Sequence, residues 1–176
     1  MSGGVPRATD GTLAIMIGGD ATAVAAARPV LEKMGTRLFE VGGPGNAHAM
    51  KALNNFVAGS SFIAVAEAVL VGERFGLDPG VMIDVMNVST GKNFNTENVM
   101  KQHVISRQFA SGFALGLLAK DVKIAADLAR AIDVESPLSG LAAALLEQAR
   151  DEVGFGADHT RAYAFWEGRD KKAAAE

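Results

Sequence analysis

Residues 42–56 read GGPGNAHAMKALNNF, a glycine-rich turn that leads directly into an apolar helix. The predicted helix carries one lysine, Lys51, and two asparagines about one turn later, Asn54 and Asn55. Because residues three and four apart share one face of a helix, these side chains form a polar patch. The turn also divides the chain, since strands and helices alternate before it and helices alone follow it.

The residues before this turn predict one βαβ unit. TLAIMI (12–17) is a short apolar run between glycines, which is typical of a strand buried on both faces. Asp20 can cap a helix over 21–34, and TRLFEVG (36–42) predicts a second strand. Two strands alone bury too little surface to be stable. We therefore expect the rest of a parallel sheet to lie upstream of Met1.

The residues after the turn predict a mostly α architecture. The first helix, 46–75, is apolar almost all round, which is typical of a helix surrounded by protein. Asp78 and Pro79 give the start signals of the next helix. The remaining pattern predicts a polar loop over 89–98 and helices over 79–87, 96–105, 113–132, 137–153 and 158–166.

The composition excludes several classes of function. A net charge of −3 argues against a nucleic-acid surface, which needs a clustered basic face. Cysteine is absent, so neither disulfides nor thiolate chemistry are expected. The three histidines, His48, His103 and His159, lack metal-ligand spacing, and we expect no metal site. About half of the residues are apolar, which favours further burial against a partner.

The stretch 52–72 has nearly the length of a membrane span. It also contains these polar or charged residues: Asn54, Asn55, Ser60, Ser61 and Glu67. A charged group at mid-bilayer costs roughly 2.5–3.5 kcal/mol, so a buried helix is the better interpretation. The N-terminus lacks the apolar core of a signal peptide. We therefore expect a cytoplasmic protein that does not bind membranes.

The polar patch around Lys51 has a catalytic and a structural interpretation. A desolvated lysine can act as a general acid or base near neutral pH, and an asparagine can hold a substrate oxygen. The glycine-rich turn allows a ligand to approach the backbone. Alternatively, the lysine extends its charge to solvent and the asparagines bind neighbouring backbone. The spacing alone leaves both interpretations open.

Four separate blocks of the sequence make a family recognisable. They are SGG (2–4), GTLAIMIGGD (11–20), GGPGNAHAMKALNN (42–55) and LLAKDVKIA (117–125). In this order and spacing they resemble the C-terminal portion of β-hydroxyacid dehydrogenases, the family of 3-hydroxyisobutyrate dehydrogenase and tartronate semialdehyde reductase. The resemblance implies a βαβ remnant of an NAD(P)-binding Rossmann domain over 1–43. An all-helical 6-phosphogluconate-dehydrogenase-like domain for substrate binding and dimerisation then covers 44–176.

The resemblance also implies roles for individual residues. Lys51 matches the catalytic lysine that exchanges a proton with the substrate hydroxyl. Asn55 matches the asparagine that orients the substrate. Ser2, Gly3 and Gly4 match the loop that holds the substrate carboxylate, and such a loop of backbone N–H groups binds anions well.

Some positions depart from the family pattern. Ala47 and His48 stand where glycine and often glutamine are found, and we expect His48 to face solvent or bind substrate. Asn54 stands where the related 6-phosphogluconate dehydrogenases have histidine, which favours the hydroxyacid branch and a substrate-binding role for Asn54. Asn93 and Asn95 lie in the loop where substrate-selecting residues are expected.

The resemblance implies NAD or NADP as the cofactor of the intact enzyme. Lys120 matches a lysine that reaches the cofactor. However, no G-x-G-x-x-G fingerprint follows a strand in this sequence. We therefore expect this chain alone to bind no cofactor and to be inactive.

Three hypotheses for the function remain. The first is the substrate-binding and dimerisation part of an NAD(P)-dependent 3-hydroxyacid dehydrogenase, which forms a homodimer through its long apolar helices. The second is a helical dimer or assembly module that has lost catalysis. The third is an unrelated helical protein that binds an anion at the turn 42–46.

Overall fold

The computed structural model describes residues 1–173, with side chains as far as residue 169. Two compact units are present, Met1–Asn55 and a second that begins at Phe56. In chain order the elements are α1 (Gly4–Thr9), β1 (Ala14–Ile17), α2 (Ala21–Leu31), β2 (Arg37–Glu40), α3 (Asn46–Phe75), α4 (Pro79–Asn87), α5 (Phe94–Asn98), a π-helical segment (Met100–Ile105), α6 (Leu115–Ala131), α7 (Pro137–Val153) and α8 (Arg161–Ala173). The predicted mostly α class with a preceding βαβ unit is confirmed. The units divide within α3, and a domain boundary after residue 43 stays a prediction.

The first unit contains the predicted βαβ arrangement. Strands β1 and β2 pair in parallel, with Ala14 opposite Arg37 and α2 between them in sequence. Asp20 caps α2 as predicted, because its carboxylate accepts hydrogen bonds from the backbone of Thr22 and Ala23. The helix ends at Leu31, earlier than predicted, and the turn that follows leads into β2.

The prediction that β1 is buried on both faces is wrong for this structure. Ile15 is buried, but its neighbours in the strand are only partly covered. On β2, the side chain of Phe39 is 52% exposed. The physical reason is that helices cover the faces of a parallel sheet, and α2 is the one helix that connects the two strands in the part of the chain that the structure describes.

The N-terminal segment, which the sequence predicts as a loop, contains a β-bridge and a short helix. Ser2 and Ala14 exchange two backbone hydrogen bonds of 2.8 and 3.0 Å, in an antiparallel bridge. The residues after it form the short helix α1. The sequence GVPRAT contains no apolar repeat long enough to predict a helix of this size.

The second unit is built around α3, α6 and α7. Its fully buried side chains include Phe62 and Val69 of α3, Val122 of α6 and Leu146 of α7. Helix α6 packs against α7, and α7 packs against α8. The predicted bounds of three helices, α3, α4 and α7, match the structure.

Helix α3 is long and apolar enough to cross a membrane by length and composition. A core helix passes the same test, and Phe62, Ala66 and Val69 are fully buried in the hydrophobic core. The expectation that protein surrounds this helix is nevertheless wrong for the single chain. Val71 is 69% exposed and Phe75 83% exposed, because one face of α3 is left uncovered.

Three predicted segments differ from the structure. The polar loop 89–98 ends in helix α5, because Asn93 and Thr96 form a capping box at its start. The predicted helix 96–105 is divided in the structure: its first residues belong to α5, and Met100–Ile105 form the π-helical segment. The last helix begins at Arg161 and extends to Ala173.

A partly buried carboxylate joins the start of α6 to the start of α8. Asp158 accepts hydrogen bonds from Gly112 N (2.8 Å), Ser111 Oγ (3.0 Å) and Thr160 Oγ1 (2.5 Å). Burial opposes its ionisation, but the hydrogen bonds from Thr160, Gly112 and Ser111 outweigh burial and lower the pKa of Asp158. The carboxylate therefore remains charged where it holds these two segments together.

His159, the next residue, is buried in the same place. Its Nδ1 atom lies 3.0 Å from Ser111 Oγ, and its ring meets the ring of Phe62 edge-on at 5.0 Å between centroids. Burial lowers the pKa of His159, although the negative charge of Asp158 partly opposes this effect. The folded protein therefore keeps this imidazole neutral.

The buried neutral imidazole predicts a loss of stability in mild acid. The unfolded chain takes up a proton near the ordinary histidine pKa of 6.5, whereas folded His159 resists it. The free energy of unfolding should thus fall as the pH drops below about 6.5, and less so in His159→Gln. Denaturant unfolding at each pH measures this. The control His48→Gln, at an exposed histidine, should lose as much stability as the wild type over the same pH range. A loss in His159→Gln as large as that of the wild type would show that His159 is not its cause.

Candidate active site

The predicted polar patch on α3 is joined by hydrogen bonds. Lys51 Nζ donates to Asn55 Oδ1 at 2.9 Å. Asn54 Nδ2 donates to the same oxygen at 3.2 Å. Asn55 is buried, Lys51 is half-buried and Asn54 is exposed. The structure therefore brings together the three side chains that helical spacing predicts, around the oxygen of Asn55.

The first turn of α3 lies against the end of β1. A Cβ atom on Gly18 would lie 2.7 Å from Gly43 O and 3.0 Å from the backbone nitrogen of Ala47. Glycine is thus needed at residue 18 because two backbone segments meet there. The parallel pairing continues past the strands, since Val41 N donates to Ile17 O at 2.8 Å.

Asn46 ties the start of α3 to the chain before it. Its Nδ2 atom donates to Val41 O at 2.9 Å, across the glycine-rich turn. Sequence reasoning missed Asn46 and Gly18 as supports of the helix that carries Lys51. The available signals were an asparagine at the first helical position and a glycine directly after an apolar strand.

The Ser2–Gly4 segment belongs to the same compact unit as Lys51. Gly3 has a φ of 137°, and a Cβ atom there would lie 2.6 Å from Arg7 Cβ. Gly4 has a φ of 64°, also in the region that favours glycine. The segment therefore offers mainly backbone groups to a ligand, and its role as a carboxylate loop remains a prediction.

The other predicted site residues belong to the second unit and have local partners. Lys120 is exposed on α6 and forms an ion pair with Asp121 at 3.0 Å. The side-chain oxygen of Asn93 accepts from the backbone of Asn95 and Thr96, as the cap of α5. Asn95 is buried and donates to Ala58 O at 3.0 Å. The substrate and cofactor roles of Asn93 and Lys120 stay predictions.

Outside the Lys51 patch, the described part of the chain offers a groove but no metal-binding cluster. Among the residues that the structure describes, no three His, Asp or Glu side chains come together to hold a metal ion. A groove of about 400 Å³ lies along the later turns of α3. It is lined by Glu67, Leu70, Val71 and Arg74, all in the second unit, so it is not part of the Lys51 patch.

Each of the two parts of the chain matches a known protein family. Residues 45–166 match the family described as NAD-binding of NADP-dependent 3-hydroxyisobutyrate dehydrogenase. Residues 1–43 match the NAD binding domain of 6-phosphogluconate dehydrogenase. The chain belongs to the 3-hydroxyisobutyrate dehydrogenase family. The resemblance seen in the four sequence blocks is confirmed.

Curated relatives of this 3-hydroxyisobutyrate dehydrogenase-like chain are similar over most of its length. The 3-hydroxyisobutyrate dehydrogenase of Pseudomonas aeruginosa is 38% identical, over 97% of this chain and 60% of its own length. The 2-(hydroxymethyl)glutarate dehydrogenase of Eubacterium barkeri is 32% identical, over 95% of this chain and 56% of its own. An NAD-dependent L-serine dehydrogenase of Pseudomonas aeruginosa is 36% identical, over 82% of this chain and 51% of its own. The chain thus spans somewhat over half the length of these relatives.

Solved structures of the family share the fold. The 3-hydroxyisobutyrate dehydrogenase of Mycobacterium tuberculosis, solved with L-serine, superposes with a TM-score of 0.85 at 30% identity, over 94% of this chain and 58% of that one. A protein named Psf3, in complex with NADP+ and 2-OPP, gives a TM-score of 0.79 at 28% identity, over 94% and 57%.

The family is NAD(P)-dependent, so the fit of a dinucleotide to this chain can be tested at its strand–helix junction. A pyrophosphate is normally held by free N–H groups at the start of the helix after a strand. At the start of α2, Asp20 already accepts from Thr22 N at 2.9 Å and Ala23 N at 3.1 Å. Its carboxylate also places negative charge there. The junction between β1 and α2 therefore does not fit a pyrophosphate.

The close approach at Gly18 predicts that alanine destabilises the protein much more at residue 18 than at residue 19. Gly18→Ala places a methyl group against backbone and should lower the free energy of unfolding by about 1–3 kcal/mol. In Gly19→Ala the added Cβ atom would lie 3.7 Å from its nearest neighbour, Val24 Cγ2, which is an ordinary contact. The free energy of unfolding should therefore change by less than about 0.5 kcal/mol. Urea unfolding of both variants measures this. Equal effects would show that the backbones do not meet at Gly18.

Proposed function

We propose that this chain is the substrate-binding and dimer-forming part of an NAD(P)-dependent 3-hydroxyacid dehydrogenase, with Lys51 as its acid/base. The observation that carries the proposal is the hydrogen bond from Lys51 Nζ to Asn55 Oδ1 at 2.9 Å. It joins the two residues that the family resemblance assigns to catalysis, in a chain that belongs to the family.

The proposed role of Lys51 is proton transfer at the substrate hydroxyl. As the alcohol is oxidised to an aldehyde, the neutral amine takes the hydroxyl proton, and in the reverse direction the ammonium returns it to the oxygen. Asn55 holds the Lys51 nitrogen in place through its side-chain oxygen and orients the substrate. Oxidation also needs a hydride acceptor, which a nicotinamide cofactor supplies in the intact enzyme.

The proposed substrate is a small 3-hydroxyacid. The compounds in the names of three relatives, 3-hydroxyisobutyrate, L-serine and 2-(hydroxymethyl)glutarate, all carry a hydroxymethyl group on the carbon next to a carboxylate. Lys51 would face the hydroxyl of such a compound. The backbone of Gly3 and Gly4 and the hydroxyl of Ser2 would bind its carboxylate, since backbone N–H groups bind anions well.

We further propose that NAD or NADP binds to the intact enzyme and that this chain alone does not turn over substrate. Asp20 caps the start of α2, so this strand–helix junction does not offer free N–H groups to a pyrophosphate. The relatives contain further sequence, since the chain matches 60% of the Pseudomonas aeruginosa enzyme. That further sequence is proposed to supply the cofactor site.

A chimera tests the catalytic proposal. The part of the Pseudomonas aeruginosa relative outside its match to this chain is fused to residue 1, and reduction of NAD+ or NADP+ is followed at 340 nm with 3-hydroxyisobutyrate. The chimera should be active and the chain alone inactive. Lys51→Ala should lower kcat of the chimera by at least about 100-fold, because proton transfer loses its acid/base.

The matched control is Lys33→Ala, at an exposed lysine of the same compact unit, which should keep activity. Turnover that survives Lys51→Ala would refute the acid/base role and favour the non-catalytic helical module. Turnover by the chain alone would refute the proposed need for a separate cofactor half.

We also propose that the chain forms a homodimer in the cytoplasm through the uncovered face of α3. Val57, Ala64, Val71 and Phe75 follow one another along the helix at intervals of seven, seven and four residues, and all four are exposed. Such an apolar stripe on a core helix is typical of a protein interface. The groove lined by Leu70 and Val71 lies on the same helix.

A charge placed on this stripe should separate the dimer. Val71→Asp would bury a carboxylate in the interface, and the sedimentation coefficient should fall to that of a monomer. Val30→Asp, at a valine of similar exposure on α2, should leave the dimer intact. Analytical ultracentrifugation distinguishes these outcomes, and a Val71→Asp protein that remains dimeric would place the interface elsewhere.

A further inference from the structure

We propose that Asn54 is a positioning residue that fixes the side-chain amide of Asn55 and so holds Lys51 in place. This replaces the substrate-binding role that the sequence suggests for Asn54. The inference rests on the proposed function of Lys51 and deepens it.

The contact between the two asparagines is unusual for a helix. Successive residues point about 100° apart around the helix axis, so neighbouring side chains normally diverge. Here Asn54 Nδ2 nevertheless lies 3.2 Å from Asn55 Oδ1. The side chain of Asn54, although exposed, thus turns along the helix surface toward the buried amide of its neighbour.

The two contacts on Asn55 determine how its amide is oriented. The Lys51 ammonium can only donate hydrogen bonds, and the Asn54 amide nitrogen is also a donor. Both lie within hydrogen-bond distance of one atom of Asn55, at 2.9 and 3.2 Å, so that atom must be the oxygen. Rotating the Asn55 amide by half a turn would place its N–H groups against the Lys51 ammonium, and Asn54 would have to turn its own amide to keep a hydrogen bond. Asn54 therefore adds to the barrier against that rotation.

The orientation of the Asn55 amide matters because proton transfer requires the Lys51 nitrogen to lie close to the substrate hydroxyl. Lys51 has four rotatable side-chain bonds, and its nitrogen acts only within hydrogen-bond reach of the substrate hydroxyl. The Asn55 oxygen gives this nitrogen an acceptor at a fixed place. Loss of Asn54 should leave substrate affinity unchanged and reduce the fraction of time that Lys51 is correctly placed, so kcat falls while KM does not.

The first test uses NMR on the 176-residue chain itself and does not depend on activity. Exchange of the Lys51 ammonium protons with water is measured in ¹⁵N-labelled wild type and in Asn54→Ala. A weakened hydrogen bond to Asn55 should speed this exchange by about 2- to 10-fold, the range that a typical net hydrogen bond gives. Asn98→Ala, at another exposed helical asparagine, should not change it.

The second test measures kcat and KM of the chimera. Asn54→Ala should lower kcat by about 2- to 10-fold and leave KM within about twofold, and Asn54→His, which restores a donor, should recover part of kcat. A raised KM with unchanged kcat would show that Asn54 contacts the substrate, and would overturn the proposal. Unchanged Lys51 proton exchange in Asn54→Ala would also overturn it. The acid/base role of Lys51 is tested separately: activity of the chimera that survives Lys51→Ala would refute that role, whatever the result for Asn54.

Discussion

The contact between the end of β1 and the first turn of α3 is the constraint on which the candidate site depends. Gly18 allows the backbone after β1 to meet Gly43 and Ala47 without a side chain between them. Asn46 reinforces the same region through its bond to Val41 O. Because Lys51 lies less than two turns further along the helix, these backbone contacts fix the position of its backbone, and the hydrogen bond to Asn55 Oδ1 holds its nitrogen.

The polar patch itself follows from one short stretch of helix. Lys51 and Asn55 are one turn apart, so helix geometry alone brings their ends together. Asn54 joins them by turning toward its neighbour, which the periodicity does not predict. The result is an ammonium whose acceptor is a buried amide oxygen.

The parts of the fold that the sequence predicts are those with a long regular pattern. Helix α3 and helix α7 were predictable because their apolar repeats and end signals span four or more turns. Helix α5 was not, because it is five residues long and depends on the capping box at Asn93. The exposed faces of β1 and α3 were also not predictable, since a continuous apolar run does not show whether this chain or another covers it.

Part of the candidate site was likewise predictable from the sequence, and part was not. Spacing predicted that Lys51, Asn54 and Asn55 share a face, but only coordinates show that one oxygen accepts from both donors. The support from Gly18 depends on its closeness to Gly43 and Ala47, which are far from it in sequence. The family assignment came from four ordered blocks, whereas individual roles depend on where each side chain points.

The most direct measurement is a crystal structure of the chimera with 3-hydroxyisobutyrate bound. We predict that Lys51 Nζ lies within about 3.2 Å of the substrate hydroxyl oxygen, the reach of a general acid or base. We also predict that the substrate carboxylate lies against the backbone of Gly3 and Gly4. A substrate whose carboxylate pairs with Lys51, with its hydroxyl turned away from that nitrogen, would contradict the central claim.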